Sequence, residues 1–170
     1  MRLLAALVLA LPLAAAAQTP GASPGQTALR AYLDAHPAYA LRGDADFEPL
    51  ARMRTDEYMG AAFRPYTLDG DFNRDGYPDF AAIVFGPLSA TQGAWGDSPS
   101  YDTRVLVFNG QPDGTGRLAV PDADGELPLS TFLGAEEDED GLWFGVADTD
   151  AVMTLVPTGD TYDAVVPDMP

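Results

Sequence analysis

The chain has 170 residues, with 26 acidic against 9 basic, one His, no Cys and a formal net charge of −17. That length suits one domain, and a charge of this sign repels nucleic-acid phosphates and anionic lipid surfaces. Without thiols there is no disulfide, no thiolate nucleophile and no Cys-bound zinc or iron–sulfur centre. Every basic residue is Arg, which also removes Schiff-base chemistry and a phosphate-loop lysine.

Met1-Arg2 is a short positive start, residues 3–13 are apolar apart from Pro12, and Ala15 and Ala17 stand where a signal peptidase reads small residues. The pattern predicts a signal peptide over 1–17, with Gln18 as the mature N-terminus and a periplasmic or extracellular destination. The apolar run is too short to span the roughly 30 Å hydrocarbon layer, so no membrane insertion is expected after cleavage. Residues 18–22 read as a flexible leader around Pro20-Gly21, and 23–170 as a single domain.

Ser23-Pro24-Gly25-Gln26 is a helix start, with Ser at the N-cap, Pro at the first helical position and Gln three residues after the cap. Leu29, Tyr32 and Leu33 follow at helical spacing until Pro37 stops the run. A second, sparser helix is expected over 47–59, with Leu50 and Met53 as apolar members and Gly60 as its end. Beyond about residue 61 the pattern becomes short Val-, Ile-, Phe-, Tyr- and Thr-rich runs broken by Gly, Pro and Asp, the signature of strands and turns. Strands are predicted at 80–85, 103–108, 117–120, 142–146, 152–156 and 162–166, and a long surface loop at 87–100. Phe80 to Phe85 is continuously apolar, as a strand covered on both faces would be. The expected fold class is α+β: two N-terminal helices over about 23–60, then an antiparallel sheet of about six strands.

Residues 71–79 read Asp71-Phe72-Asn73-Arg74-Asp75-Gly76-Tyr77-Pro78-Asp79, with oxygen side chains at positions 1, 3, 5 and 9 and Gly at position 6. Calcium takes six to eight oxygens at about 2.3–2.6 Å in a forgiving geometry, which a short loop supplies by turning alternate side chains inward. Asp71, Asn73, Asp75 and Asp79 are the candidate side-chain ligands, and the Tyr77 carbonyl is the candidate backbone ligand. From the chain's own Asp and Gly frequencies the pattern arises by chance in about four of a thousand such sequences, so Ca2+ is preferred over a solvated turn. Position 12 is Ala82 rather than the bidentate Glu of an EF-hand, and Pro78 with the following apolar run predicts a strand, not a helix, after the loop.

The stretch Gly70-Asp71-Phe72-Asn73-Arg74-Asp75-Gly76-Tyr77-Pro78-Asp79-Phe80 resembles the calcium loop of FG-GAP/VCBS-type repeats, found in secreted bacterial proteins and integrin-like propellers. Val107-Phe108-Asn109-Gly110 and Asp113-Gly114-Thr115-Gly116 are similar to the strand and turn that follow such loops, so the resemblance covers about 66–117. It implies calcium ligands at Asp71, Asn73, Asp75, Tyr77 and Asp79. The chain carries one complete copy of a motif that the propellers repeat in tandem.

Other features have plainer readings. Glu136-Glu137-Asp138-Glu139-Asp140 is a second cation site or a solvated acidic loop, and Asp122-Ala123-Asp124-Gly125 is a turn. His36, the lone imidazole, suits a helix end, where its cation would meet the C-terminal dipole. There is no Gly-x-Ser-x-Gly elbow and no His cluster, so no enzyme is expected. Trp95, Trp143 and Tyr101 are core aromatics or a binding face for a protein or glycan. The leading expectation is an exported, non-enzymatic calcium-binding protein with a structural ion. A protein- or glycan-binding module ranks next, then a small secreted hydrolase.

Overall fold

A computed structural model describes residues 22–48, 51, 63–90, 95, 98–119, 124–135 and 140–166. The first element, α1 (Pro24–Ala35), starts as its sequence dictates. The Gln26 amide donates to Ser23 Oγ and the Ser23 amide to Gln26 Oε1, both at 3.2 Å, which satisfies two N-terminal donors reciprocally. The helix closes at His36, whose amide reaches the Tyr32 and Leu33 carbonyls and whose ring stacks on Tyr32 at 4.1 Å. No helix among the described residues is long and apolar enough to cross a membrane.

Among the described residues ten strands follow: β1 (Ala40–Leu41), β2 (Thr67–Gly70), β3 (Asp79–Leu88), β4 (Ser100–Gly110), β5 (Gly116–Leu118), β6 (Asp124–Pro128), β7 (Thr131–Gly134), β8 (Leu142–Val146), β9 (Val152–Thr158) and β10 (Thr161–Val165). They form two antiparallel sheets. In the six-stranded sheet the long strands β3 and β4 pair centrally; β1 and β2 both pair with β3, and β5 and β6 both pair with β4. The second sheet is a four-stranded meander in the order β10-β9-β8-β7.

Strand alternation sends β3 to both sides. Phe80, Ala82 and Val84 pack with Leu106 and Phe108 of β4 beneath Leu29 of α1. Ala81, Ile83 and Phe85 pack with Val105 and Val107 against Leu133, Leu142, Phe144 and Leu155 of the second sheet. The unbroken apolar run at 80–85 therefore marks the middle layer of a helix–sheet–sheet sandwich. Burying each such Leu, Ile or Phe contributes about 1.5–3 kcal/mol.

The expectation of two N-terminal helices followed by one sheet of about six strands is corrected by this architecture. Among the described residues the protein is mostly β, with ten strands in two sheets, and α1 is the one α-helix with defined bounds, Ala51 being helical besides. No helix begins at Phe47: it caps a 3₁₀ turn, Asp44–Asp46, with extended dihedrals (φ −64°, ψ 130°). Its ring is buried edge-on against Phe63 and Tyr66 instead. Of the expected helix over 47–59, only Phe47, Glu48 and Ala51 are described. The signal peptide at 1–17, residues 18–21 of the leader and residues 91–94 and 96–97 of the 87–100 loop also lie outside the described residues, while Pro87 and Leu88 belong to β3 and Ser100 to β4. Strands β1, β2, β6 and β7 were not expected, being short or polar; β6 includes Asp124 and Gly125, read above as a turn.

Candidate metal centre

The loop 71–79 connects β2 to β3, whose end residues Gly70 and Asp79 are cross-strand partners. Three of its oxygen side chains turn back over the loop's own amides. Asp71 accepts from the Asp75 amide through Oδ1 at 3.1 Å and from the Gly76 amide through Oδ2 at 3.0 Å. Asn73 Oδ1 accepts from the same Asp75 amide at 3.1 Å, and Asp75 Oδ1 accepts from the Tyr77 amide at 2.9 Å. Asn73 Nδ2 donates to Asp75 Oδ2 at 3.0 Å. The backbone makes this reversal by entering the left-handed region twice, at Arg74 (φ 53°) and Gly76 (φ 86°). The first costs strain in any residue with a Cβ, and the second is what glycine at position 6 permits.

Asp79 behaves differently. Only 2% exposed, it accepts from the Phe72 amide through Oδ2 at 2.9 Å and from the Gly110 amide through Oδ1 at 2.8 Å. It thus ties the start of the loop to the end of β4. Burial pushes its carboxyl above the usual range; the amides of Gly110, Phe72 and Asn73 pull it down, and the charge of Asp75 pushes it up. Gly110 is required at its place because a Cβ there would lie 2.4 Å from the Pro78 carbonyl oxygen.

Around this latch the loop is fastened to the second sheet. The Gly141 amide donates to the Phe72 carbonyl at 2.7 Å, and Arg74 Nε pairs with Asp140 Oδ1 at 2.7 Å. Tyr162 of β10, buried, donates to Asn109 Oδ1 at 3.0 Å. Its hydroxyl is held well above the usual phenol range, first by burial and then by the charges of Asp79, Asp75 and Asp71. A field of one sign therefore extends from the loop into the end of the sandwich.

The sequence-predicted ligands divide accordingly. Asp71, Asn73 and Asp75 come together around one amide; the Tyr77 side chain is 38% exposed at the loop's outer edge; Asp79 is set beneath them with both oxygens engaged by amides. Among the described residues, no set of three or more His, Cys, Asp or Glu side chains is gathered as a metal cluster. The donor chemistry fits calcium: oxygen throughout, no imidazole or thiol, and one neutral amide that adds an oxygen without adding repulsion.

Asn109, Gly110, Phe72 and Tyr162 complete this end of the molecule, and of these only Tyr162 lies outside the stretch that carries the sequence resemblance. Both Asn109-Gly110 and Pro112-Asp113-Gly114 are turn signals in the sequence; β4 runs through the first, and the chain turns at the second, where Gly114 has φ 78°. Of the acidic run, Glu136 to Glu139 lie outside the described residues, and Asp140 pairs with Arg74. The three remaining aromatics hold different partners: Trp143 meets Phe132 at 5.4 Å, Tyr101 meets Phe85 at 6.1 Å, and Trp95 donates to the Glu126 carbonyl at 2.8 Å.

Comparison of the chain with protein-family models, with curated proteins and with solved structures finds no match.

Proposed function

We propose that this is an exported, non-enzymatic calcium-binding protein whose ion is structural, held by an FG-GAP/VCBS-type loop between β2 and β3. The observation that carries the reading is the convergence of Asp71 and Asn73 oxygens on the Asp75 amide, with Asp75 turned back on Tyr77. Each hydrogen-bonded oxygen keeps a further lone pair for a cation. Asp71, Asn73 and Asp75 would supply side-chain oxygens, Tyr77 its carbonyl, and Asp79 an oxygen from below. Bound there, a divalent cation supplies positive charge that offsets the mutual repulsion of three carboxylates.

The consequence is mechanical. The loop leads into the central strand β3, and its residues reach β4 through Gly110 and the second sheet through Gly141 and Asp140. An ion that fixes the loop therefore fixes the relative placing of both sheets at this end. Residues 1–17 carry the export part of the reading, towards compartments where calcium is commonly millimolar and extracellular modules bind it with Kd of about 10⁻⁴–10⁻³ M.

The test is thermal unfolding of the 18–170 chain in excess calcium, in chelator, and in magnesium. A calcium-specific rise in Tm is expected. An identical Tm in all three media sinks the proposal.

A further inference from the structure

We propose that the groove between α1 and the β1–β2 edge of the six-stranded sheet binds an apolar dipeptide by its two charged ends. The groove has a volume of about 530 Å³, within the roughly 300–1,000 Å³ of small-molecule sites, and none of its lining residues belongs to the 71–79 loop. It exists because the helix is set off-centre. α1 packs over β3, β4 and β5, while β1 and β2 lie end to end along the other edge of β3. Leu41 of β1 is the cross-strand partner of Val84, and Thr67 of β2 that of Ala82. Opposite residues share a face, so both stand on the helix side of the sheet, beside the apolar layer beneath Leu29.

One stripe of the helix forms the facing wall, because Leu29, Arg30, Leu33 and Asp34 recur at helical spacing. The bed of the groove is apolar. Leu29 and Phe80 are buried, Leu33 is half-buried, and Leu41, 38% exposed, leaves apolar area for a ligand to cover. Arg30 and Asp34 rise from the same wall one turn apart. Both are exposed, and the two are not ion-paired with each other.

Apolar area beside one cation and one anion selects a ligand with an apolar body and both charges. A fatty acid would match Arg30 but leave Asp34 facing a like charge, and a protein of net charge −17 repels it. A zwitterion has no net charge and meets no such barrier. The Arg30 guanidinium suits a carboxylate, which it can take through two parallel N–H groups, and the Asp34 carboxylate suits an ammonium. Helix residues four apart have Cβ atoms about 5–6 Å apart, and two extended peptide residues span at most about 7 Å. A dipeptide therefore reaches from one charge to the other with its side chains over Leu33 and Leu41. A single amino acid carries both charges on one carbon and is too short.

The probe is leucylleucine, titrated into the 18–170 chain with calcium present and followed by backbone amide shifts in NMR spectra. Glycylglycine, hexanoate, N-acetyl-leucylleucine and leucylleucine amide are the controls. Saturable shifts confined to α1, β1 and β2 are expected with leucylleucine, its affinity falling about fivefold in Arg30→Gln and in Asp34→Asn. Both variants alter exposed side chains and should keep the wild-type Tm. Leucylleucine amide, which lacks the carboxylate, should not distinguish Arg30→Gln from wild type, and the acetylated peptide, which lacks the ammonium, should not distinguish Asp34→Asn. Glycylglycine or hexanoate binding as tightly as leucylleucine, or unchanged affinity in either variant, overturns the proposal. So does the lack of a saturable shift, or shifts in the 71–79 amides instead, which would place the peptide's ammonium in the acidic loop.

Discussion

Asp79 and Gly110 meet at the end of the central strand pair: the Gly110 amide donates to Asp79 Oδ1 at 2.8 Å, while the other carboxylate oxygen takes the Phe72 amide. Two buried donors from separate segments thus depend on one side chain. Asp79→Ala leaves both without an acceptor, at about 1–3 kcal/mol each. A loss of roughly 2–4 kcal/mol in urea unfolding is expected, and it should appear in chelator as well as in calcium. A loss seen only with calcium present would make Asp79 a ligand and nothing more.

Asp75 gives the complementary case. It is exposed, and its carboxylate caps only the Tyr77 amide and meets Asn73, so its removal without metal should cost little, about 0.5–1.5 kcal/mol. In calcium at a hundred times Kd the wild type gains about 2.7 kcal/mol from binding. Asp75→Ala should lose most of that gain, seen as a Tm that no longer responds to calcium. A wild-type response in the mutant removes Asp75 from the ligand set.

These two residues also show what the sequence could and could not reveal. The spacing of Asp71, Asn73, Asp75 and Gly76 is local, and local hydrogen bonds realise it, so the loop's shape was readable from nine consecutive letters. Asp79 occupies position 9 of the same pattern, but its environment comes from Gly110, thirty-one residues away, and no spacing rule contains that pairing. The unbroken run from Phe80 to Phe85 announced a strand covered on both sides. It did not say that a helix covers one side and a second sheet the other, which is why one sheet was expected where there are two. Phe47 misled for a related reason. Its burial serves an aromatic cluster with Phe63, Tyr66 and Phe132, an arrangement with no helical period to detect.

Gly110→Ala tests the close approach directly. A Cβ at this position would stand 2.4 Å from the Pro78 carbonyl oxygen, which is backbone and has little room to move. The loop would have to lift off β4, stretching the Asp79 hydrogen bond. A destabilisation of about 1–3 kcal/mol is expected, together with weaker calcium affinity because the lower ligand is displaced. Near-wild-type stability by urea unfolding, with unchanged affinity, would mean that the loop and β4 are not in register.

Tyr162 makes the protein sensitive to alkali. Burial and the charges of Asp79, Asp75 and Asp71 hold its hydroxyl neutral well past the ordinary phenol range. For an acid whose folded pKa lies above its unfolded one, the contribution to stability is complete below the unfolded value. It is lost as pH rises from about 10 through the folded value, because the unfolded chain releases the proton first. Unfolding followed by circular dichroism should therefore show stability falling steeply above about pH 10, with one tyrosinate absorbance step arriving only as structure is lost. Tyr162→Phe forgoes the bond to Asn109, about 0.5–1.5 kcal/mol at neutral pH, but should flatten this alkaline loss. If instead the mutant loses stability with pH as steeply as the wild type, neither burial nor the carboxylate charges hold this phenol neutral, and another group carries the alkaline loss.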